Sequence, residues 1–220
     1  EAAGFSALVV TLDTPVQPVS RRVLDAGFVM PVEGRPGSLA RYTSPPRREL
    51  APSDSVVFQG LMADAPTWAD MQWLLANTRL PVLAKGVVHP ADVQRLRDLG
   101  VAGFVVSGHG GRALDELPAP LDLLPAVRAA AGEDATVILD GGVRSGVDAF
   151  KTLALGADAV LLGRPAMHAL AVGGAPGVAH LLRLLREELE VTMALAGCAT
   201  LADITRNSLW RDGFLEPALC

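Results

Sequence analysis

Short apolar runs and amphipathic stretches alternate along this chain in a repeated order. A strand-length run is followed by a polar or glycine-rich loop, then a helical pattern, then Gly-Ala or Gly-Val before the next run. The runs predicted as strands are 7–12 (ALVVTL), 81–86 (PVLAKG), 103–108 (GFVVSG), 136–141 (TVILDG) and 159–164 (AVLLGR). Their apolar residues are continuous rather than alternating, which predicts strands buried on both faces of a parallel sheet. The helical patterns fall at 90–99, 121–131, 146–155 and 174–196. Pro90 marks the start of the first, and Gly100 and Gly156 close the first and third.

Strands alternating with helices define an α/β protein, either a barrel or an open doubly wound sheet. Two stretches depart from the pattern. Residues 29–66 are rich in Pro, Ser, Gly and Arg and predict a long flexible loop or lid over a single domain spanning 1–220. Order is expected to resume at TWADMQWLL, with Thr67 as helix N-cap. The opening EAAGF reads as a last helical turn with Gly4 as its C-cap, so the chain is expected to begin partway through a domain.

Composition narrows the function. Half of the 220 residues are hydrophobic, enough for one sizeable core. The net charge of −5, without a basic stripe, argues against a nucleic-acid partner. The apolar runs are too short for a membrane span. Cys198 and Cys220 make no disulfide framework, so a reducing cytoplasm is the expected location. No His or Cys pair has metal-ligand spacing, so no metal is expected.

The candidate chemistry gathers just after the strands, where both α/β architectures place their sites. The fourth run ends in DGGVRSG and the fifth in GRP, two successive Gly-plus-Arg endings. Glycine exposes backbone N–H groups and arginine adds a bidentate charge, so Gly141, Gly142, Arg144, Gly163 and Arg164 are candidates for holding a phosphate. Lys85 closes a buried strand, where it could pair with a carboxylate, form a Schiff base or stabilise negative charge. His109 follows the third strand in SGHGGRALD, with Asp140 on the neighbouring strand as a candidate to orient it as a general base. Arg112 could clamp a substrate carboxylate. His89, His168 and His180 read as surface residues.

Together these stretches resemble the FMN-dependent L-2-hydroxy acid oxidases and dehydrogenases, the family of glycolate-, lactate- and mandelate-oxidising enzymes. SGHGGRALD is similar to the family's S-N-H-G-G-R-Q-L-D, with Gly108 for Asn and Ala113 for Gln. TLDTP, LPVLAKGV, DGGVRSG, KTLALGADAVLLGRP and ELEVTMALAGCATLADI match as well. The resemblance implies a (β/α)8 TIM barrel of which about the last five β/α units are present. The earlier strands would come from upstream residues or another chain. It implies FMN as cofactor, with Thr11, Lys85, Ser107, Asp140, Gly141, Gly142, Arg144, Gly163 and Arg164 around it. His109 would be the base, and Arg112 and Arg22 would bind the substrate carboxylate, Arg22 being preferred to Arg21. Two tyrosines of the family site belong to the absent part, and Tyr42 is not expected to replace them. O2 or another carrier would take the electrons, and a homo-oligomer, a tetramer by resemblance, is expected. The alternatives are a non-catalytic half-barrel binding phosphate, FMN or a partner chain, and another FMN-barrel enzyme of the isomerase or nucleotide-dehydrogenase type.

Overall fold

The computed structural model describes residues 1–16, 20–31, 34, 37–39, 42 and 48–210. It divides into two compact units, one of Glu1–Asp13 with the chain from Trp68 onward, the other Thr14–Thr67.

The larger unit holds five strands, β1 Leu8–Thr11, β2 Val82–Lys85, β3 Gly103–Ser107, β4 Thr136–Asp140 and β5 Ala159–Leu161. All pair in parallel, in the order β1-β2-β3-β4-β5. Each strand lies beside the one that precedes it, with no reversal of winding. A doubly wound sheet reverses at a switch point, whereas a barrel walks in one direction, so the strand order decides between the two architectures foreseen. Helices α2 Trp68–Asn77, α3 Pro90–Asp98, α4 Pro120–Ala131 and α5 Gly146–Ala154 cross between the strands, and α6 Arg164–Leu195 follows the last.

Register fixes the two faces of the sheet. Val82, Ala84, Phe104, Val106, Val137 and Leu139 point to the helix side and form the buried core, joined there by Val93 and Leu96 of α3 and Leu124 and Val127 of α4. The alternate positions form the other face. Thr11 pairs with Lys85 in register, and Ser107 pairs with Asp140. The expectation of strands buried on both faces holds for β3 alone. On β1 and β5 the second face is open, with Val9 55% and Leu161 40% exposed. Continuous apolar sequence therefore marked a sheet that is covered by helices on one side and carries polar chemistry at one end of the other.

Two boundaries differ from expectation. The fifth strand stops at Leu161, so Gly163 and Arg164 belong to the following helix, as N-cap and first residue. That helix begins ten residues before the expected 174 because Gly174, at φ 60° and ψ −150°, breaks a longer helix instead of starting one. Beyond α6, Cys198 packs with Phe150, Ala154 and Ile204 in a second small core. Cys198 is a free thiol, and Cys220 lies outside the described residues.

At the chain's opening, Gly4 adopts the left-handed conformation foreseen for it (φ 82°), within a turn closed by its N–H to the Glu1 carbonyl. The Thr14–Thr67 unit contains most of the stretch expected as a loop. It carries a short helix, α1 Arg21–Asp25, a 3-10 turn at Gly37–Leu39 and a six-residue π-helix at Val56–Leu61. Ser55 caps the π-helix by accepting the Phe58 N–H, and Arg48 pairs with Asp64 at 3.0 Å. Arg22 is exposed on α1 of this unit. Among the described residues, no helix is long and apolar enough to cross a membrane.

Candidate active site

The polar face of the sheet ends in a hydrogen-bonded cluster centred on Ser107, which is fully buried. Its hydroxyl donates to Asp140 Oδ2 at 2.8 Å. It accepts from Lys85 Nζ at 2.8 Å and from the His109 backbone N–H at 3.0 Å. A serine hydroxyl has one proton and two lone pairs, so all its capacity is used. Lys85 and Asp140 also pair directly at 2.7 Å. These residues meet because β2, β3 and β4 are adjacent and parallel, with Lys85, Ser107 and Asp140 each the last residue of its strand. Thr11 stands beside Lys85 on the same face.

Asp140 was expected to orient His109. It is instead committed to Lys85 and Ser107, and the partner of the imidazole is Asp13. His109 Nδ1 lies 3.2 Å from Asp13 Oδ1, and the Asp13 side chain is only 9% exposed. Asp13 sits two residues beyond β1, and Gly86 follows β2 at φ 89°. A β-carbon at Gly86 would overlap the Asp13 carboxylate, so the glycine is what admits the aspartate. The sequence held the signal in TLDTP and AKG, since a carboxylate just after one strand can reach the loop after a near neighbour. Asp13 Oδ2 is buried and has no hydrogen-bond partner.

The loop carrying the histidine is a single 3-10 turn, His109–Gly111. His109 has φ 50°, making it the non-glycine residue with positive φ among those described, and Gly110 and Gly111 follow at 65° and 74°. A left-handed residue with a β-carbon costs about 1–2 kcal/mol. The N–H bond to Ser107 and the ring bond to Asp13 hold it there. Arg112 follows directly.

The second half of the site lies after β4 and β5. Gly141 and Gly142 take positive φ (108° and 84°) and lead through Arg144 into α5. Ser145 and Asp148 form a capping box at that helix start, and Asp148 Oδ2 also accepts the Arg144 N–H at 3.0 Å. Burial tends to raise the Asp148 carboxyl, but the N–H of Arg144 and the hydroxyl and N–H of Ser145 outweigh it and hold the group below its usual range. Gly163 is the N-cap of α6 and, being glycine, brings no side-chain cap, and Pro165 in the first turn carries no N–H. A β-carbon at Gly163 would meet nothing within 4 Å, so open space lies in front of this helix start. The Arg164 side chain turns back over the histidine loop, where a β-carbon at Gly110 would lie 3.1 Å from Nη2.

These two halves line one cavity of about 740 Å³. Lys85, His109, Arg112, Asp140, Gly141, Gly142, Arg144, Gly163 and Arg164 all border it. Ser107 stands behind Lys85 and Asp140, buried. His168, expected on the surface, is exposed but borders the same cavity. Four permanent cations thus face one carboxylate in a chain whose net charge is −5. The volume suits a cofactor-sized ligand, and the charge suits an anion. No group of three or more His, Cys, Asp or Glu that could hold a metal ion occurs among the described residues.

The parallel strand order fits an α/β barrel, and the cationic cavity suits an anionic ligand. Residues 1–211 match the family model described as FMN-dependent dehydrogenase, and the chain belongs to that family. It is 56% identical over 209 residues to an L-lactate oxidase of Alicycliphilus denitrificans, covering 95% of this chain and 57% of that protein. It is 42% identical over 218 residues to glycolate oxidase 1 of Oryza sativa subsp. indica, covering 96% and 58%. Among solved structures, a mandelate oxidase mutant with a C4a-OH-FMN adduct aligns with a TM-score of 0.75 at 37% identity, covering 93% of this chain and 56% of that one. The chain therefore spans a little over half the length of these relatives, and its sheet is five consecutive β/α units of the FMN-dependent barrel.

Proposed function

We propose that this chain supplies the base, one substrate clamp and the phosphate grip of an enzyme that oxidises an L-2-hydroxy acid to the 2-oxo acid with FMN. The observation that carries the reading is the His109–Asp13 pair on the rim of a cavity that also holds Arg112 and two Gly-Arg loops. The donor set fits the cofactor. Backbone N–H groups at the Gly163 helix start, positive-φ glycines at 141 and 142, and the guanidiniums of Arg144 and Arg164 would hold the phosphate. Lys85 and Thr11 would face the ring system, with Lys85 placing positive charge beside it, while Ser107, expected to contact the flavin, is buried and holds Lys85 from behind. FMN, when bound, supplies the acceptor for the two electrons.

The protein's own residues handle the substrate's charge and proton. Arg112 would hold the carboxylate; for Arg22 the same role rests on the family resemblance alone. His109 would take the proton at Nε2, because Nδ1 is engaged by Asp13. The Asp13 carboxylate then stabilises the imidazolium that forms, as an orienting carboxylate does beside a base histidine. We take O2 or another carrier as the final acceptor, and a homo-oligomer in the cytoplasm as the working form, from the resemblance and the cysteine usage.

The test is anaerobic mixing of the full-length, FMN-loaded protein with L-lactate, glycolate or L-mandelate. Bleaching of the yellow colour with one of them, and its loss in His109→Asn, supports the reading. A flavoprotein that none of them bleaches, or a His109→Asn variant that bleaches at the parent rate, overturns it. The first outcome would favour isomerase or nucleotide-dehydrogenase chemistry, which has no use for His109 and Arg112 together.

A further inference from the structure

One polar side chain bordering the cavity has no part in the scheme above. His168 borders the cavity together with Arg144, Gly163 and Arg164. It lies on α6 one turn beyond Arg164, and residues four apart on a helix present neighbouring side chains. We propose that His168 is a third contact for the FMN phosphate, donating a ring N–H to it. This rests on the reading of the two Gly-Arg loops as the phosphate site.

The charged groups around the position support that assignment. From its own helix comes Arg164, and from the loop before α5 comes Arg144. Lys85, His109 and Arg112 border the cavity from the strand ends and the histidine loop. Asp140 is the carboxylate among the described lining residues, and it is engaged by Lys85 and Ser107. Asp148, on the neighbouring α5, is committed to the N–H groups of Arg144 and Ser145. The His168 ring thus meets no uncommitted carboxylate among the described lining residues, and a phosphate is an acceptor that suits its N–H.

The experiment is FMN titration of cofactor-stripped full-length protein at one fixed pH, followed by quenching of flavin fluorescence. Riboflavin serves as the phosphate-free control and Arg164→Ala runs in parallel. His168→Ala is expected to weaken FMN about tenfold, the size of one hydrogen bond to a charged group. Riboflavin binding should be unchanged. An equal loss for riboflavin overturns the inference. If Arg164→Ala weakens FMN while His168→Ala does not, the inference alone falls. If neither the parent nor its variants bind FMN, the phosphate reading falls and takes the inference with it.

Discussion

Replacing Ser107 with alanine isolates the hub of the site with little change in shape. The side chain is fully buried, and its hydroxyl joins Lys85, Asp140 and the His109 N–H at 2.8, 2.8 and 3.0 Å. Alanine removes one oxygen atom, so the cavity left behind is minimal and the polar terms dominate. Two of the three bonds involve ionic partners, for which about 1.5–3 kcal/mol each is usual, against about 1 kcal/mol for a neutral bond. Lys85 and Asp140 keep each other at 2.7 Å and recover part of that loss. The His109 N–H loses its acceptor at the residue that bears left-handed strain. A net destabilisation of about 2–4 kcal/mol follows. The assay is urea unfolding of the cofactor-free full-length protein, because bound FMN would add its own stabilisation. The midpoint should fall with the slope unchanged. A loss under about 1 kcal/mol would refute the idea that Ser107 ties three strand ends and the histidine loop together.

Four further outcomes follow from the same structure. Gly146→Ala drives a β-carbon into the backbone of Glu188 and Leu189, so thermal unfolding of the variant should show a loss of several degrees, about that of 2 kcal/mol or more. Gly163→Ala meets no protein atom within 4 Å and should leave the melting temperature nearly unchanged while weakening FMN in a fluorescence titration. Arg128→Ala cuts a guanidinium that bonds the carbonyls of Gly132, Ala135 and Gly156 and pairs with Asp158 at 2.6 Å. It should lower stability by about 2–4 kcal/mol in urea, with Arg128→Lys recovering only part. The Asp148 carboxyl sits below its usual value of 3.8 when folded, so its stabilisation is present above about pH 4 and is lost as pH falls through the folded value. Acid unfolding of Asp148→Asn should accordingly lack that share of the parent's pH dependence.

Much of this was legible in the chain because strand ends announce themselves. Apolar runs stop at Lys85, Ser107 and Asp140, and glycine-arginine pairs after β4 and β5 mark the anion side. What escaped was decided by neighbours across the sheet. The partner of His109 depends on which carboxylate the register brings beside it, and Asp140 was already taken by Lys85. Asp13 reaches the ring because Gly86 leaves it room, a contact between residues 73 apart in sequence whose only local signs are the aspartate of TLDTP and the glycine of AKG. Continuous apolar strands could not reveal that one face of β1 and β5 is open, since Val9 and Leu161 read the same as buried residues. The start of α6 was hidden by Gly174, which looks like a helix beginning and is a break within one.

Helix α6 joins two places that sequence keeps apart. Its first residues, Gly163 and Arg164, border the cavity, and beyond the break at Gly174 its Glu188 carboxylate accepts the Gly146 N–H at 2.7 Å, two residues after Arg144. Both Gly-Arg loops are therefore anchored to one helical segment that bends at Gly174, and their spacing depends on that bend as well as on either loop. Drift acquired at Gly174 or Glu188, far along the chain from either arginine, would be felt as a change in the gap between the two guanidiniums.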